Sequence, residues 1–280
     1  MPLLLNGFTH HTINTGEVEI GYSVGPDSGP TLLLCHGVTS RRDGFLRVID
    51  ELVGDYRVIT MDQRGHGFSG HTTEAYDRFD HARDIRFVME NVSKAPTVVW
   101  GHSMGGGNSV AMASDPPENL KALILEDPAV FGKVRPARTD SSPTVNTFQI
   151  HLGLIEQGLS VEEMVPHLQV ASPNQPEYFS AWKAECLLQM DADILRATVG
   201  GTSRGFDDPA QILADIKVPV LLLQADPDAG GILPDDYIAG LIPDNETFTM
   251  MKIVGAGHNI NREFPELMLP VVLPWLAEYA

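Results

Sequence analysis

Val98-Val99-Trp100-Gly101-His102-Ser103-Met104-Gly105-Gly106-Gly107 is the stretch that decides how this chain folds. Apolar β-formers run into Gly101, and a helix-compatible run, Asn108 to Ala113, leaves after Gly107. The pattern is Gly-x-Ser-x-Gly between a strand and a helix, the context that a nucleophile elbow requires. In so tight a turn, side chains two residues either side of the serine would collide, and glycine removes the collision. The bend lifts the Ser103 hydroxyl above the sheet edge. It also points the first free N–H groups of the helix at the same place. One turn thus supplies a candidate nucleophile and a candidate anion site.

Outward from the elbow, apolar strands alternate with helical spacing. Upstream, Val18, Ile20 and Tyr22 alternate with polar or small residues after the turn at Asn14-Thr15-Gly16, as a half-buried strand does. Thr31 to Cys35 is a continuous apolar run, as expected inside a parallel sheet covered on both faces. Phe45, Val48, Ile49 and Leu52 then predict a helix over Gly44 to Val53, and Tyr56 to Met61 the next strand. Ile85, Val88, Met89 and Val92 give helical spacing again before the elbow strand, and Leu120 to Leu125 predicts a strand after it. Downstream, Val218 to Leu223 and Thr247 to Val254 predict two more strands, with a helix at Asp235 to Leu241 between them. The closing segment from Glu263 holds Pro270 and Pro274, which predict a kinked or broken helix.

This alternation argues for an α/β fold: a mostly parallel twisted sheet with helices on both faces. It stops over residues 129–208, which hold short helical candidates and many Pro, Ser and Asp residues. That segment is read as a helical cap inserted into a core made of 1–128 and 209–280, rather than as a run of ordinary packing helices.

The chain has 280 residues, enough for one such core with an inserted lobe. Acidic residues outnumber basic ones 37 to 19, for a formal net charge of −18. Such a surface repels phosphate backbones and anionic headgroups, which argues against nucleic-acid and membrane partners. Two cysteines, one of them (Cys35) in an apolar strand, give no disulfide framework. The start, Met1-Pro2-Leu3-Leu4-Leu5-Asn6, lacks a basic n-region, and no stretch approaches a membrane span. The expectation is a cytoplasmic protein. No zinc-spaced ligand cluster and no dinucleotide fingerprint appears, so neither a metal nor a cofactor is expected.

A serine hydroxyl needs a base within hydrogen-bond reach, and the base needs an orienting acid. In an open parallel sheet, reactive groups collect just after the carboxyl ends of strands. His258 follows the last strand through Gly255-Ala256-Gly257 and is the expected base. His36, His66 and His102 sit in loops that their rings could fix. For the acid, Asp228 is favoured, with Asp226 as an alternate in the same loop. Two carboxylates so close would repel if both faced one imidazole. Glu126 and Asp127 follow the strand after the elbow, a second place from which a carboxylate could reach His258, and Glu126 is the other alternate. The backbone N–H groups of Val38 and Met104 are the expected oxyanion donors, each worth on the order of 3 kcal/mol in the transition state. Arg41 and Arg42, beside the Val38 loop, are read as solvated surface, with a substrate carboxylate as the other reading.

With these residues collected, the chain resembles the α/β-hydrolase family. The marks are His36-Gly37, Asp62-Gln63-Arg64-Gly65-His66-Gly67-Phe68-Ser69, Gly101-His102-Ser103-Met104-Gly105-Gly106, Asp226 and Asp228, and Gly255-Ala256-Gly257-His258. The order Ser, acid, His matches the family's triad. The family's usual Gly-x-x-Asp reads Ala225-Asp226-Pro227-Asp228 here, and Asp228 falls at the matching place. Some members, certain lactone hydrolases among them, carry the acid after the strand that follows the elbow, where Glu126 would fit. A serine at the elbow speaks against the dehalogenase and epoxide-hydrolase branches. The resemblance implies a cofactor-free serine hydrolase acting on a carboxylic ester or lactone, and the Met and aromatic residues of 129–208 point to a largely apolar, possibly aromatic small molecule. It leaves three alternatives: a carbon–carbon hydrolase of ring-cleavage products, a cofactor-free perhydrolase, and a non-catalytic small-molecule receptor.

Overall fold

The structure is a computed structural model that describes residues 7–132, 143–171, 175–200 and 205–280. Its first two strands, β1 (Thr9–Asn14) and β2 (Glu19–Val24), form an antiparallel hairpin. β3 (Thr31–Cys35) is wholly buried and carries only apolar residues after Thr31. A 3₁₀ turn at Arg42–Phe45 leads into the short helix α1 (Leu46–Ile49), then β4 (Arg57–Met61). The helix predicted over Gly44 to Val53 is cut short because the chain tightens to three-residue hydrogen bonds, Glu51 N–H to Val48 O and Leu52 N–H to Ile49 O.

Helix α2 (Arg78–Val88) starts at a reciprocal cap. Asp77 accepts from the Phe79 and Asp80 N–H groups, and Asp80 accepts from Asp77 N–H. β5 (Thr97–His102), α3 (Met104–Ala113) and β6 (Leu120–Glu126) follow, as the elbow predicts. Then, among the described residues, come five helices: α4 (Pro143–Glu156), α5 (Val161–Ala171), α6 (Glu177–Leu188), α7 (Ala192–Val199) and α8 (Pro209–Ala214). The sheet resumes with β7 (Val220–Ala225) and, after α9 (Asp235–Ala239), β8 (Phe248–Ile253). Helices α10 (Ile260–Glu263) and α11 (Pro265–Tyr279) close the chain. α11 runs unbroken through Pro270 and Pro274. Both prolines are exposed and four residues apart, so the carbonyls they leave unpaired face water.

The eight strands form one sheet in the order β1-β2-β4-β3-β5-β6-β7-β8, and from β4 to β8 every pairing is parallel. Two apolar layers sandwich it. One packs Ile85, Val88, Val110 and Leu213 against Leu33, Val99 and Leu222. The other packs Phe45, Ile49, Met268 and Leu276 against Leu34, Trp100 and Leu223. Burial on both faces explains why the central strands read as unbroken apolar runs.

Among the described residues between β6 and β7, no segment joins the sheet. Helices α4 to α7 share an apolar cluster of their own, with Leu154, Met164, Leu168, Leu187 and Leu195 at its centre. A single bridge between Gly132 and Phe206 brings the two ends of this excursion together. No described helix is long and apolar enough to cross a membrane.

Candidate active site

Strand register brings the site together. β5 pairs with β3 so that Gly101 lies opposite Cys35, and with β6 so that His102 lies opposite Glu126. The residues just past those partners, on the carboxyl ends, are therefore Ser103 in the centre, His36 to Val38 on one side and Asp127 on the other. Two backbone bonds lock this arrangement: Ser103 N–H donates to Glu126 O at 2.9 Å, and Ala129 N–H donates to Ser103 O at 2.8 Å. They bracket Asp127 against the elbow.

The elbow is as tight as its sequence predicts. Ser103 has φ 53° and ψ −114°, an unusual conformation for a residue with a side chain. A Cβ on Gly101 would lie 2.5 Å from the Gly105 carbonyl oxygen, and one on Gly105 would fall on the carbonyl oxygen of Cys35. A Cβ on Gly37 would sit 2.8 Å from His102 Nδ1 and 3.1 Å from Ser103 Cβ. Glycine there lets the β3 loop press against the elbow, so that Val38 and Met104 line the same cavity as Ser103 and His258.

Ser103 Oγ lies 2.9 Å from His258 Nε2, and His258 Nδ1 lies 2.7 Å from Asp127 Oδ2. The ring therefore donates from Nδ1 to a carboxylate and accepts at Nε2 from the hydroxyl. Asp127 is fully buried. Its two oxygens also accept from the N–H groups of Ala225, at 3.3 Å, and Ile232, at 2.9 Å. It sits at φ 37°, a second strained residue beside the first.

The favoured acid, Asp228, does not reach His258. It is exposed, in the 3₁₀ turn Pro227–Ala229. Its alternate Asp226 caps that turn, accepting from Asp228 N–H at 3.2 Å and Gly255 N–H at 2.9 Å. Both belong to the loop after β7, which is tied to the turn that follows β8. Glu126 is fully buried, but it accepts from Trp100 Nε1, Asn261 N–H and Asn261 Nδ2 instead. Burial pushes its carboxyl up to about 7, against the pull of the Asn261 and Trp100 hydrogen bonds. Glu126 thus ties α10, and with it the segment after His258, to β6. The signal for Asp127 was its place one residue beyond the strand that pairs with the elbow strand, which shifts the choice from Glu126 to its neighbour.

His102 donates from Nε2 to the His258 carbonyl at 3.0 Å, and the two rings stand 4.8 Å apart. Burial holds His102 well below the usual imidazole range, so it adds no positive charge beside His258. His36 fixes the loop that follows β4: its Nε2 accepts from Gln63 N–H at 3.0 Å while its carbonyl accepts from Gln63 Nε2. Gln63 in turn accepts from Asn108 at 2.6 Å, which joins this loop to α3. His66 packs edge-on to His36. Arg41 and Arg42 are not solvated surface. Arg41 pairs with Asp43 and Glu185 and Arg42 with Asp62, and both arginines are buried.

Two chambers open on the serine. The larger has a volume of about 530 Å³ and reaches toward Phe131, Ile194, Ile232, Asn108 and Arg78. The smaller, of about 210 Å³, reaches toward His151, Phe179, Lys183 and Arg262. Val38, Ser103, Phe148 and His258 line both.

Residues 30–158 match the sequence profile of the alpha/beta hydrolase fold. The chain is 26% identical over 253 residues to a 2-(acetamidomethylene)succinate hydrolase of Mesorhizobium japonicum, covering 88% of this chain and 87% of that one. It is 28% identical over 288 residues to a monoacylglycerol lipase of Mycolicibacterium smegmatis, covering 96% and 97%. Its structure is similar to that of an N-formylmaleamic acid deformylase from Pseudomonas putida S16, with a TM-score of 0.78, 24% identity, and coverage of 94% and 100%.

Proposed function

The chain belongs to the α/β-hydrolase fold family, and we propose that within it this protein is a serine hydrolase that cleaves a carboxylic ester or lactone. The observation that carries this reading is the unbroken line of two hydrogen bonds from Ser103 through His258 to buried Asp127, at the floor of a cavity.

In this reaction Ser103 Oγ attacks the carbonyl carbon while its proton passes to His258 Nε2. Asp127 holds the ring in the tautomer that can accept that proton, and stabilises the imidazolium that results. The Val38 and Met104 N–H groups receive the oxyanion. Collapse breaks the carbon–oxygen bond, and His258 returns the proton to the leaving alkoxide. A water, deprotonated by the same nitrogen, then attacks the acyl-enzyme and releases the acid and the serine. Helices α4 to α7, within the segment 129–208, act as a cap over the core. Their apolar side chains, with Phe131 and Ile232, favour an apolar portion of substrate in the larger chamber.

The test is turnover of a panel of p-nitrophenyl esters and aromatic lactones. Hydrolysis of at least one member by the protein, lost in Ser103→Ala, is expected. Equal turnover by Ser103→Ala would remove the serine from the reaction.

A further inference from the structure

The smaller chamber holds two cations that the chemistry above does not use. Lys183, on α6, is 8% exposed, and its ammonium donates to the Thr39 carbonyl at 2.6 Å and the Thr39 hydroxyl at 3.2 Å. It meets no carboxylate among the described residues. Arg262, on α10, has a side chain only 14% exposed, and its Nε is a buried donor with no partner among the described residues. The carboxylate beside it, Glu263, is 3.9 Å away and already accepts from Asn259 at 3.0 Å. His151, from α4, adds a buried Nδ1 that is likewise without a partner among the described residues.

A cation taken out of water needs an anion or several strong acceptors to offset the loss of hydration. Here two cations face one partly engaged carboxylate. The chain as a whole is strongly acidic, so this local excess is not a surface average. Burial, reinforced by Arg262, drops the Lys183 ammonium to about 7, and burial alone lowers Arg262. In both cases Glu263 offsets the effect of burial only in part.

The guanidinium is also held in place. It lies 4.9 Å over the Phe179 ring and 5.5 Å from that of Trp182. Its helix begins two residues after His258 and is pinned to Glu126 through Asn261. Arg262 is thus fixed with respect to the imidazole that serves Ser103, and its free Nε edge is the one that pairs with a planar carboxylate.

We propose that the smaller chamber is a carboxylate subsite, in which Arg262 and Lys183 hold an acid group carried by the substrate a few atoms from its scissile carbonyl. This assignment takes the hydrolase reading of Ser103 as given. It splits the substrate in two: an acidic end in the small chamber, and the remainder in the large one.

The experiment measures binding without turnover. Monomethyl succinate, monomethyl glutarate and monomethyl adipate are titrated calorimetrically into Ser103→Ala, each against the methyl ester of the unsubstituted acid of equal chain length. At least one half-ester should bind tenfold or more tightly than its neutral counterpart. That ratio should fall at least tenfold when Arg262→Gln or Lys183→Met is added. Two variants guard against one that misfolds, and a ratio within one protein is insensitive to partial unfolding. If no half-ester is preferred, or if the preference survives both substitutions, the subsite is refuted. Failure of the hydrolase reading would show elsewhere, as absent turnover by the unsubstituted protein, and would leave the titration result standing.

Discussion

At the residue scale, the position of the acid turns on a single bond. Asp127 Oδ2 meets His258 Nδ1 at 2.7 Å, whereas Asp228 stands in water at the far side of the β7 loop. Replacing Asp127 by Asn keeps the shape but lets the ring adopt the wrong tautomer, and kcat on any ester turned over should fall by about three to four orders of magnitude. Asp228→Asn should stay within about twofold, as surface substitutions usually do. Steady-state kinetics on the two variants checks this, and the reverse ranking would return the role to Asp228. Ser103 and His258 were legible in the sequence because glycine marks both of their turns. The acid was not, because several loop carboxylates follow strands here and spacing does not say which strand is a neighbour. Only the pairing of His102 with Glu126 does so.

At the scale of the elements, the core strands were legible from their apolar runs, and the β5–α3 elbow from its glycines. Less legible were elements whose ends depend on tertiary bonds, such as α1, and α11, where two prolines sit harmlessly on a wet face. The segment around Arg41 departs from its sequence reading for the same reason. Two adjacent arginines read as surface, but Asp43 and Glu185 bury the first of them. Asp43 also accepts from Trp182 Nε1 at 2.7 Å, and so joins the β3 loop to α6. Asp43→Ala would leave the Arg41 charge and the Trp182 donor short of a partner. We expect a loss of roughly 3 kcal/mol in unfolding free energy by urea denaturation. A loss below about 0.5 kcal/mol, typical of a surface residue, would contradict the role of this contact.

At the scale of the whole molecule, burial of histidine sets the response to acid. Burial holds His66 down at about 4 and His151 at about 3, with His36, His81 and His102 well below the ordinary value. A lowered folded-state value means stability that is present above about pH 6.5 and lost as pH falls toward the folded values, because the unfolded chain binds the protons. Asp62, raised to about 6, and Glu126, raised to about 7, act in the opposite sense, since the folded state keeps their protons. The imidazoles outnumber these carboxyls, so the melting temperature should fall between pH 7 and pH 5. Scanning calorimetry at the two pH values checks it, and a rise in Tm on acidification would show that the carboxyls dominate. The net charge of −18 was legible from composition. The inward-facing histidines were not, since composition does not say which face a side chain takes.

The most direct measurement of the central claim is the site and rate of reaction with a fluorophosphonate, read by peptide mass spectrometry. The account predicts one adduct, on the peptide holding Ser103, formed far more slowly in His258→Ala. An adduct on another residue, or an unchanged rate without the imidazole, would contradict it.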